Sequence, residues 1–192
     1  MRKILLASAM MLGLAFGANA QKGSTLLYGN VGFGNSKVGG VDGSTSTFEF
    51  TPGIGYQFNE NWTIGAELGA AAASHSTPSF NAGPFIRYTH NFSSIFGIYG
   101  QLGVGYTHIG DATSYNLYGS EVGGGNGFYA AFTLPTIAIN VHNGLAVNLG
   151  FGNVNFASVK PNYDGAKSSS AFGVNFGHGI SLGISKNFGG KK

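Results

Sequence analysis

Residues 48–58 read FEFTPGIGYQF, a stretch in which bulky or apolar side chains alternate with small or polar ones. The apolar set takes every second position from Phe48 to Phe58, and Glu49 falls in the opposite phase. A period of two is that of a β-strand whose faces meet different surroundings, since successive side chains point to opposite sides. The stretch therefore predicts a strand with one apolar face and one face of small and polar residues.

The same alternation recurs along most of the chain and predicts an all-β protein. Five further segments show it clearly, namely residues 62–70, 80–89, 96–106, 145–152 and 172–188. Two weaker candidates lie at 26–35 and 128–140, which gives eight strands in total. The second weak candidate contains Pro135, which cannot donate a backbone hydrogen bond, so the pattern leaves the register of this sixth strand open.

The composition excludes both an ordinary soluble domain and a disordered chain. Only 9% of the 192 residues are charged, whereas a typical soluble domain has about 25%. Hydrophobic residues make up 43% of the chain and include 16 Phe, which a disordered chain would not contain. The sequence has no Cys, and this excludes disulfides, thiolate nucleophiles and thiolate metal sites.

The N-terminus has the three parts of a secretory signal peptide. Two basic residues precede an apolar run over residues 4–16, and small residues follow in Ala18-Asn19-Ala20. We predict cleavage after Ala20, which leaves a single domain over residues 21–192. Removal of the peptide takes away two of the ten basic residues, so eight remain against seven acidic ones. The basic pI thus belongs to the export signal, and no nucleic-acid partner is expected.

The connections between the predicted strands alternate in length. Three are short, at 59–61, 90–95 and 140–144, and four are long, at 36–46, 72–79, 109–125 and 155–170. Alternating short turns and long polar loops are typical of transmembrane β-barrels, with the short turns on the periplasmic side. Strands of about ten residues are long enough to cross a bilayer when tilted. The pattern predicts an eight-stranded antiparallel up-and-down transmembrane β-barrel.

The charged residues within the strands indicate which face of this barrel is outside. Glu49, Glu67 and Arg87 share the phase of the glycines, whereas the opposite phase carries most of the aromatic residues. Those aromatic residues cluster near both strand ends, as in the interfacial girdles of membrane barrels. A basic side chain facing lipid near the bilayer midplane costs about 2–4 kcal/mol. We therefore expect the apolar face to contact lipid and the glycine-rich face to line the lumen.

The signal peptide, the eight alternating segments and the end of the last strand together resemble the small outer-membrane barrels of the OmpA/OmpX type in Gram-negative bacteria. Residues 21–188 carry the resemblance. The C-terminal insertion signal of that family is matched by Ile180, Leu182, Ile184 and Phe188. The sequence departs from the family pattern at Lys186, where an apolar residue is usual, and in residues 189–192, which follow the terminal Phe.

The resemblance implies where the protein resides and what it meets on the way. It implies an outer-membrane location, with outer-membrane lipids and lipopolysaccharide around the barrel. It also implies that periplasmic chaperones and the barrel assembly machinery act during biogenesis.

Glu67 and Arg87 are the best candidates for a polar pair inside the barrel. Each lies four or five residues from the short-turn end of its strand, so on adjacent strands we expect them at similar height. A charge-assisted hydrogen bond would neutralise two charges that are otherwise costly to bury. We expect this pair to be a structural plug, and the alternative is a gate or a proton path. Glu49 lies nearer the long loops, with no evident cationic partner.

No metal site is predicted, because the five His residues lack the spacing of metal ligands. No catalysis and no cofactor are predicted either, because Glu49 and Glu67 point inward and His178 has no evident outward Ser and acidic partner. The expected role is structural or surface interaction, in which the long loops, with their aromatic residues, bind an unidentified extracellular ligand. Three alternatives stay open. One is a lipid A deacylase-like enzyme at the outer leaflet, centred on the outward-phase His178. The second is a narrow pore, and the third is a soluble lipid-binding barrel, whose lumen would have to be apolar.

Overall fold

The computed structural model describes residues 22–36, 45–73, 77–110, 124–163 and 165–189. Its strands are β1 Ser24–Ser36, β2 Thr45–Gln57, β3 Trp62–Ala73, β4 Ser79–Asn91, β5 Phe96–Ile109, β6 Gly125–His142, β7 Leu145–Pro161 and β8 Ser169–Phe188. The predicted signal peptide, with its cleavage position at Ala20, lies outside the described residues. In the described part of the chain, no helix has the length and apolar character needed to span a membrane.

Each strand pairs antiparallel with the next one, and β8 pairs with β1, so the sheet closes into a barrel. Short connections at 58–61, 92–95 and 143–144 join β2 to β3, β4 to β5 and β6 to β7. Thr25 pairs with Phe188, so the start of β1 and the end of β8 lie together. The prediction of an all-β, eight-stranded, antiparallel up-and-down barrel is confirmed.

The short turns follow from local sequence. Asn143 and Gly144 form the two-residue turn between β6 and β7, with φ of 48° and 76°. Positive φ at both central positions is the mirror-image hairpin turn that Asn-Gly favours, because its twist matches that of the strands. Between β2 and β3, the Asn59 side-chain oxygen accepts hydrogen bonds from the backbone N–H groups of Asn61 and Trp62, at 2.9 and 2.8 Å. These bonds fix the direction in which β3 begins.

The two faces of the strands differ in exposure as the alternation predicts. On β5, Leu102 is 43% exposed, whereas its neighbour Gln101 is 8% exposed. Apolar side chains stand exposed on the outer wall on all eight strands, among them Val31, Ile54, Ile64, Ile86, Val104, Phe132, Val154 and Leu182. Glu67 and Arg87 are buried in the opposite phase. The apolar phase is therefore the outer wall, and the glycine-rich phase lines the interior.

The connection between β7 and β8 is shorter than predicted. We expected a loop over 155–170, but β7 continues to Pro161 and β8 begins at Ser169. The extension forms because β7 has partners on both sides there, with Gly125 of β6 opposite Pro161 and Ser169 opposite Val159. The prediction of this loop was wrong because Asn and Ser interrupt the apolar alternation without interrupting the hydrogen-bonded ladder.

Two irregularities interrupt the ladders. Pro135 stays within β6, where one residue of β5 between Tyr99 and Gln101 faces two residues of β6, so the proline lies in a β-bulge. Bulges leave a backbone position unpaired, which suits a residue without an N–H. In β8, residues 177–180 stand opposite a single residue of β7. The side chain of His178 lies outside the described residues, and with it the predicted position of an outer-leaflet enzyme site.

Candidate functional site

The best candidate site is a cluster of polar and aromatic side chains inside the barrel. Glu67 on β3 and Arg87 on β4 both point inward, with 9% and 3% of their surface exposed. Their burial follows from the phase of the alternation, since each shares the face of the neighbouring strand glycines. Two charges buried in one interior need hydrogen-bonding partners, because an unpaired buried charge is strongly destabilising.

Gln101 on β5 supplies those partners. Its side-chain oxygen accepts hydrogen bonds from Arg87 Nε at 2.8 Å and from Arg87 Nη2 at 2.6 Å. Its side-chain nitrogen donates to Glu67 Oε2 at 2.7 Å. The amide therefore turns its oxygen to the cation and its nitrogen to the anion. This orientation satisfies both charges through one neutral group.

Two tyrosines complete the hydrogen bonds of the carboxylate. Tyr28 on β1 donates its hydroxyl to Glu67 Oε2 at 2.6 Å and accepts from the Gln101 nitrogen at 2.9 Å. Tyr129 on β6 donates to Glu67 Oε1 at 3.3 Å. Both carboxylate oxygens thus accept hydrogen bonds, and strands from opposite sides of the barrel meet at one residue.

Aromatic rings enclose the guanidinium. The Cζ atom of Arg87 lies 4.4 Å from the centre of the Tyr28 ring and 4.1 Å from the centre of the Tyr99 ring. Phe85 packs edge-on against Tyr28, with 5.5 Å between the ring centres. Cation–π contacts strengthen when water is excluded, as it is around these buried rings. The cluster of Tyr28, Glu67, Phe85, Arg87, Tyr99, Gln101 and Tyr129 is called the lumen cluster below.

Glycine makes room for the lumen cluster at two positions. A Cβ atom on Gly53 would overlap the ring of Tyr28, and one on Gly103 would overlap Glu67 Oε1. An eight-stranded barrel leaves an interior just wide enough for side chains to fill it. The glycines thus allow a Tyr and a Glu to reach the barrel axis.

The expected direct bond between Glu67 and Arg87 does not form; Gln101 stands between them. The reason lies in the register. Glu67 is opposite Gly83 on β4, and Arg87 lies four residues further along that strand, which is about 13 Å of extended chain. Counting residues from each short turn predicted equal heights, but paired residues of tilted strands are offset, and counting cannot reveal that offset.

A small cavity adjoins Tyr99 and Gln101. Its volume is about 20 Å³, and its walls include Asn30, Thr136, Asn148 and Ser181. In the described part of the chain, two buried atoms among these walls, Thr136 Oγ1 and Asn148 Nδ2, have no hydrogen-bonding partner. A space of this size is about what one water molecule occupies.

The remaining predicted residues are dispersed. Glu49 on β2 is exposed at the end of the barrel far from the short turns, and the structure gives it no partner among the described residues. The residues of the predicted insertion signal lie on β8, where Ile180, Leu182 and Ile184 are exposed and Phe188 pairs with Thr25.

Lys186 is buried and donates from Nζ to the backbone oxygen of Asn143 at 2.6 Å. The same Nζ atom lies 5.7 Å from the centre of the Phe188 ring.

Sequence reasoning missed most of the lumen cluster. Tyr99 and Gln101 did fall in the inward phase of a clearly predicted strand, so their size and polarity were the available signal. Tyr28 and Tyr129 lay in the two weakly predicted strands. Across the described ranges, no group of three or more His, Asp or Glu side chains has the geometry to hold a metal ion.

The sequence matches no protein-family profile and no protein of curated function. Among solved structures, a de novo designed transmembrane β-barrel has 13% identity and a TM-score of 0.42, covering 88% of this chain and 99% of its own. The outer membrane protein OprG from Pseudomonas aeruginosa has 14% identity and a TM-score of 0.44, covering 90% and 99%. The translocator domain of the autotransporter NalP from Neisseria meningitidis has 17% identity and a TM-score of 0.43, covering 96% and 74%. The strand pairing of the chain itself, rather than these similarities, defines the barrel.

Proposed function

We propose that the chain is a β-barrel of the Gram-negative outer membrane, exported by the signal peptide at residues 1–20. The observation that carries this proposal is the outer wall of the barrel. Apolar side chains stand exposed there on every strand, with Ile64 at 52% and Ile184 at 53%. Water-soluble monomers rarely expose a continuous apolar surface of more than a few hundred Å², whereas a membrane barrel needs an apolar band around its circumference.

The position of the charges supports the same proposal. In the described strands, the acidic residues Glu49 and Glu67 and the arginine Arg87 share the inward phase. The outward-phase lysines Lys160 and Lys186 lie within two residues of a strand end. A soluble barrel with an apolar ligand cavity would have the reverse arrangement, with charges outside and apolar residues inside. Closing the sheet also pairs the backbone groups that lipid cannot hydrogen-bond.

We further propose that the lumen is closed and that the protein acts without catalysis. The lumen cluster connects β1, β3, β4, β5 and β6 across the interior, with each charge held by hydrogen bonds. Such an arrangement favours a structural plug over a pore. The proposed role is therefore structural, or is surface interaction in which the loops at the end away from the short turns recognise a ligand.

The proposed partners during biogenesis are periplasmic chaperones and the barrel assembly machinery, which would recognise the end of β8.

Membrane fractionation combined with heat-modifiable gel migration tests this proposal. We expect the protein in the outer-membrane fraction, with different migration before and after boiling, because a folded barrel resists detergent until heated. Leu102→Arg, on the outer wall, should reduce the folded band, since a basic side chain facing lipid costs about 2–4 kcal/mol. Glu60→Arg, in an exposed turn, is the matched control. A water-soluble protein whose gel migration is the same before and after boiling would overturn the proposal.

A further inference from the structure

The outer wall carries a groove that the proposed function leaves unused. It lies across β2 to β5, has a volume of about 340 Å³, and is lined almost entirely by apolar atoms. Ala70 lies between the larger side chains of Phe50 and Phe80 in the strand register, and the compact residues Pro52 and Ala82 also line the groove. Since these residues belong to the apolar phase, the groove opens outward. Its volume lies at the lower end of the range for small-molecule sites.

The end of this groove far from the short turns is polar. His108 lines it, and His108 Nδ1 lies 2.8 Å from the side-chain oxygen of Asn126 on β6. The same oxygen accepts the hydroxyl of Tyr106. The Asn126 nitrogen donates to the side-chain oxygen of Asn162 at 2.9 Å. Asn126 thus holds the Nδ1 edge of the imidazole, and among the described residues no partner bonds to the Nε2 atom of His108.

A cation stands beside this network. Lys160 of β7 is directly opposite Asn126 in the strand register, and Asn126 is directly opposite His108. Directly opposite residues project from the same face of a sheet, so the three side chains form one outward-facing row. Lys160 is exposed, and no partner occupies its ammonium among the described residues. The apolar groove therefore ends at a hydrogen-bonded polar network with a positive charge beside it.

We propose that this groove binds one phosphate-bearing membrane lipid, with an acyl chain along the apolar floor and the phosphate at Lys160 and His108. The proposal rests on the proposed function, because a hydrocarbon chain reaches the groove only if the outer wall faces lipid. The combination matches the two halves of such a lipid. An ammonium and an imidazole form charge-assisted hydrogen bonds with phosphate, and apolar walls take up the chain.

Lipid binding to the purified, detergent-solubilised barrel, followed by native mass spectrometry, tests the proposal. The probes are phosphatidic acid, phosphatidylcholine with identical chains, and inorganic phosphate. Lys160→Gln should weaken phosphatidic acid binding about tenfold and phosphatidylcholine binding much less, because the phosphate diester of phosphatidylcholine carries less negative charge and has a quaternary ammonium attached. Lys22→Gln, at an exposed position near the start of β1, should change neither. Ala82→Phe should weaken both lipids, whereas Ala66→Phe, also exposed on the outer wall, should not.

Three results would overturn the proposal. The first is equal binding of phosphatidic acid by the parent protein and by both groove variants. The second is binding of inorganic phosphate at Lys160 without any preference for the phosphorylated lipid, which would identify a free-anion site. The third is a change from dimer to monomer in Ala82→Phe, which would identify a second copy of the chain as the occupant. A variant whose gel migration changes on heating has a folded barrel. This measurement therefore distinguishes a failure of the lipid-site proposal from a failure of the membrane-barrel proposal.

Discussion

Arg87 and Glu67 are joined inside the barrel through the two ends of one amide group, that of Gln101. Arg87 donates twice to the amide oxygen, and the amide nitrogen donates to Glu67. The opposite charges therefore stabilise each other through a neutral residue that orients its dipole between them. Gln101 therefore bonds to both charged residues of the lumen cluster.

Gln101→Leu is expected to lower the free energy of unfolding by about 3 kcal/mol, because hydrogen bonds to charged groups contribute about 1.5–3 kcal/mol each. Gln57→Leu is the matched control. The Gln57 side chain is also buried, but among the described residues it bonds only to neutral groups, Ser24 and the backbone oxygen of Glu60, so about 1 kcal/mol should be lost. Urea unfolding in lipid vesicles measures both losses. Equal losses would show that Gln101 does not bridge the charges.

Glu67→Gln and Arg87→Met should be energetically coupled although their side chains are not bonded to each other. A double-mutant cycle is expected to give a coupling of about 1 kcal/mol, within the range for residues of one hydrogen-bonded network. The same cycle in a Gln101→Leu background should give a smaller coupling, because only Tyr28, which donates to Glu67 and stacks on Arg87, then connects the two side chains. A coupling that is undiminished there would mean that the amide does not connect the two charges.

Gly103→Ala should lower the free energy of unfolding by about 1–3 kcal/mol, the usual cost of overpacking, because its Cβ would overlap the Glu67 carboxylate. Gly69→Ala is the control, since a Cβ there meets Asn81 at an ordinary 3.4 Å. Thermal unfolding of both variants in the same detergent measures the difference. If both glycines tolerate alanine equally, the Glu67 side chain is placed elsewhere.

The strands could be predicted because alternation is a local property. In residues 48–58 the sequence itself shows which side chains share a face, and the inward phase of Glu67 and Arg87 follows from it. The barrel then follows from strand number and connection length. The end of β7 escaped prediction, since its pairing with β6 and β8 depends on neighbours and not on its own apolar pattern.

The composition of the lumen cluster could not be predicted, because it depends on the offset between strands. Gln101 meets Arg87 because these residues are directly opposite on β4 and β5. Tyr28 reaches both from β1, with two strands between it and Arg87. No spacing along the chain encodes either relationship.

The parent protein should give no ion current in a planar bilayer, because the lumen cluster fills the interior. Tyr28→Ala combined with Arg87→Ala removes a ring and the guanidinium stacked on it, and discrete current steps should then appear. Leu102→Ala, on the outer wall, is the control and should remain silent. Current steps of equal size in the parent protein would favour a pore over a plug.

The central claim is that the apolar outer wall contacts hydrocarbon, and site-directed spin labelling tests it most directly. Because the sequence has no Cys, single cysteines can be placed at will. Labels at Ile64 and Leu102, on the outer wall, should collide with oxygen dissolved in the bilayer and be shielded from a water-soluble nickel chelate. A label at Glu60, in a short turn, should show the reverse. Accessibility to the nickel chelate that is as high for labels at Ile64 and Leu102 as for the label at Glu60 would contradict the account.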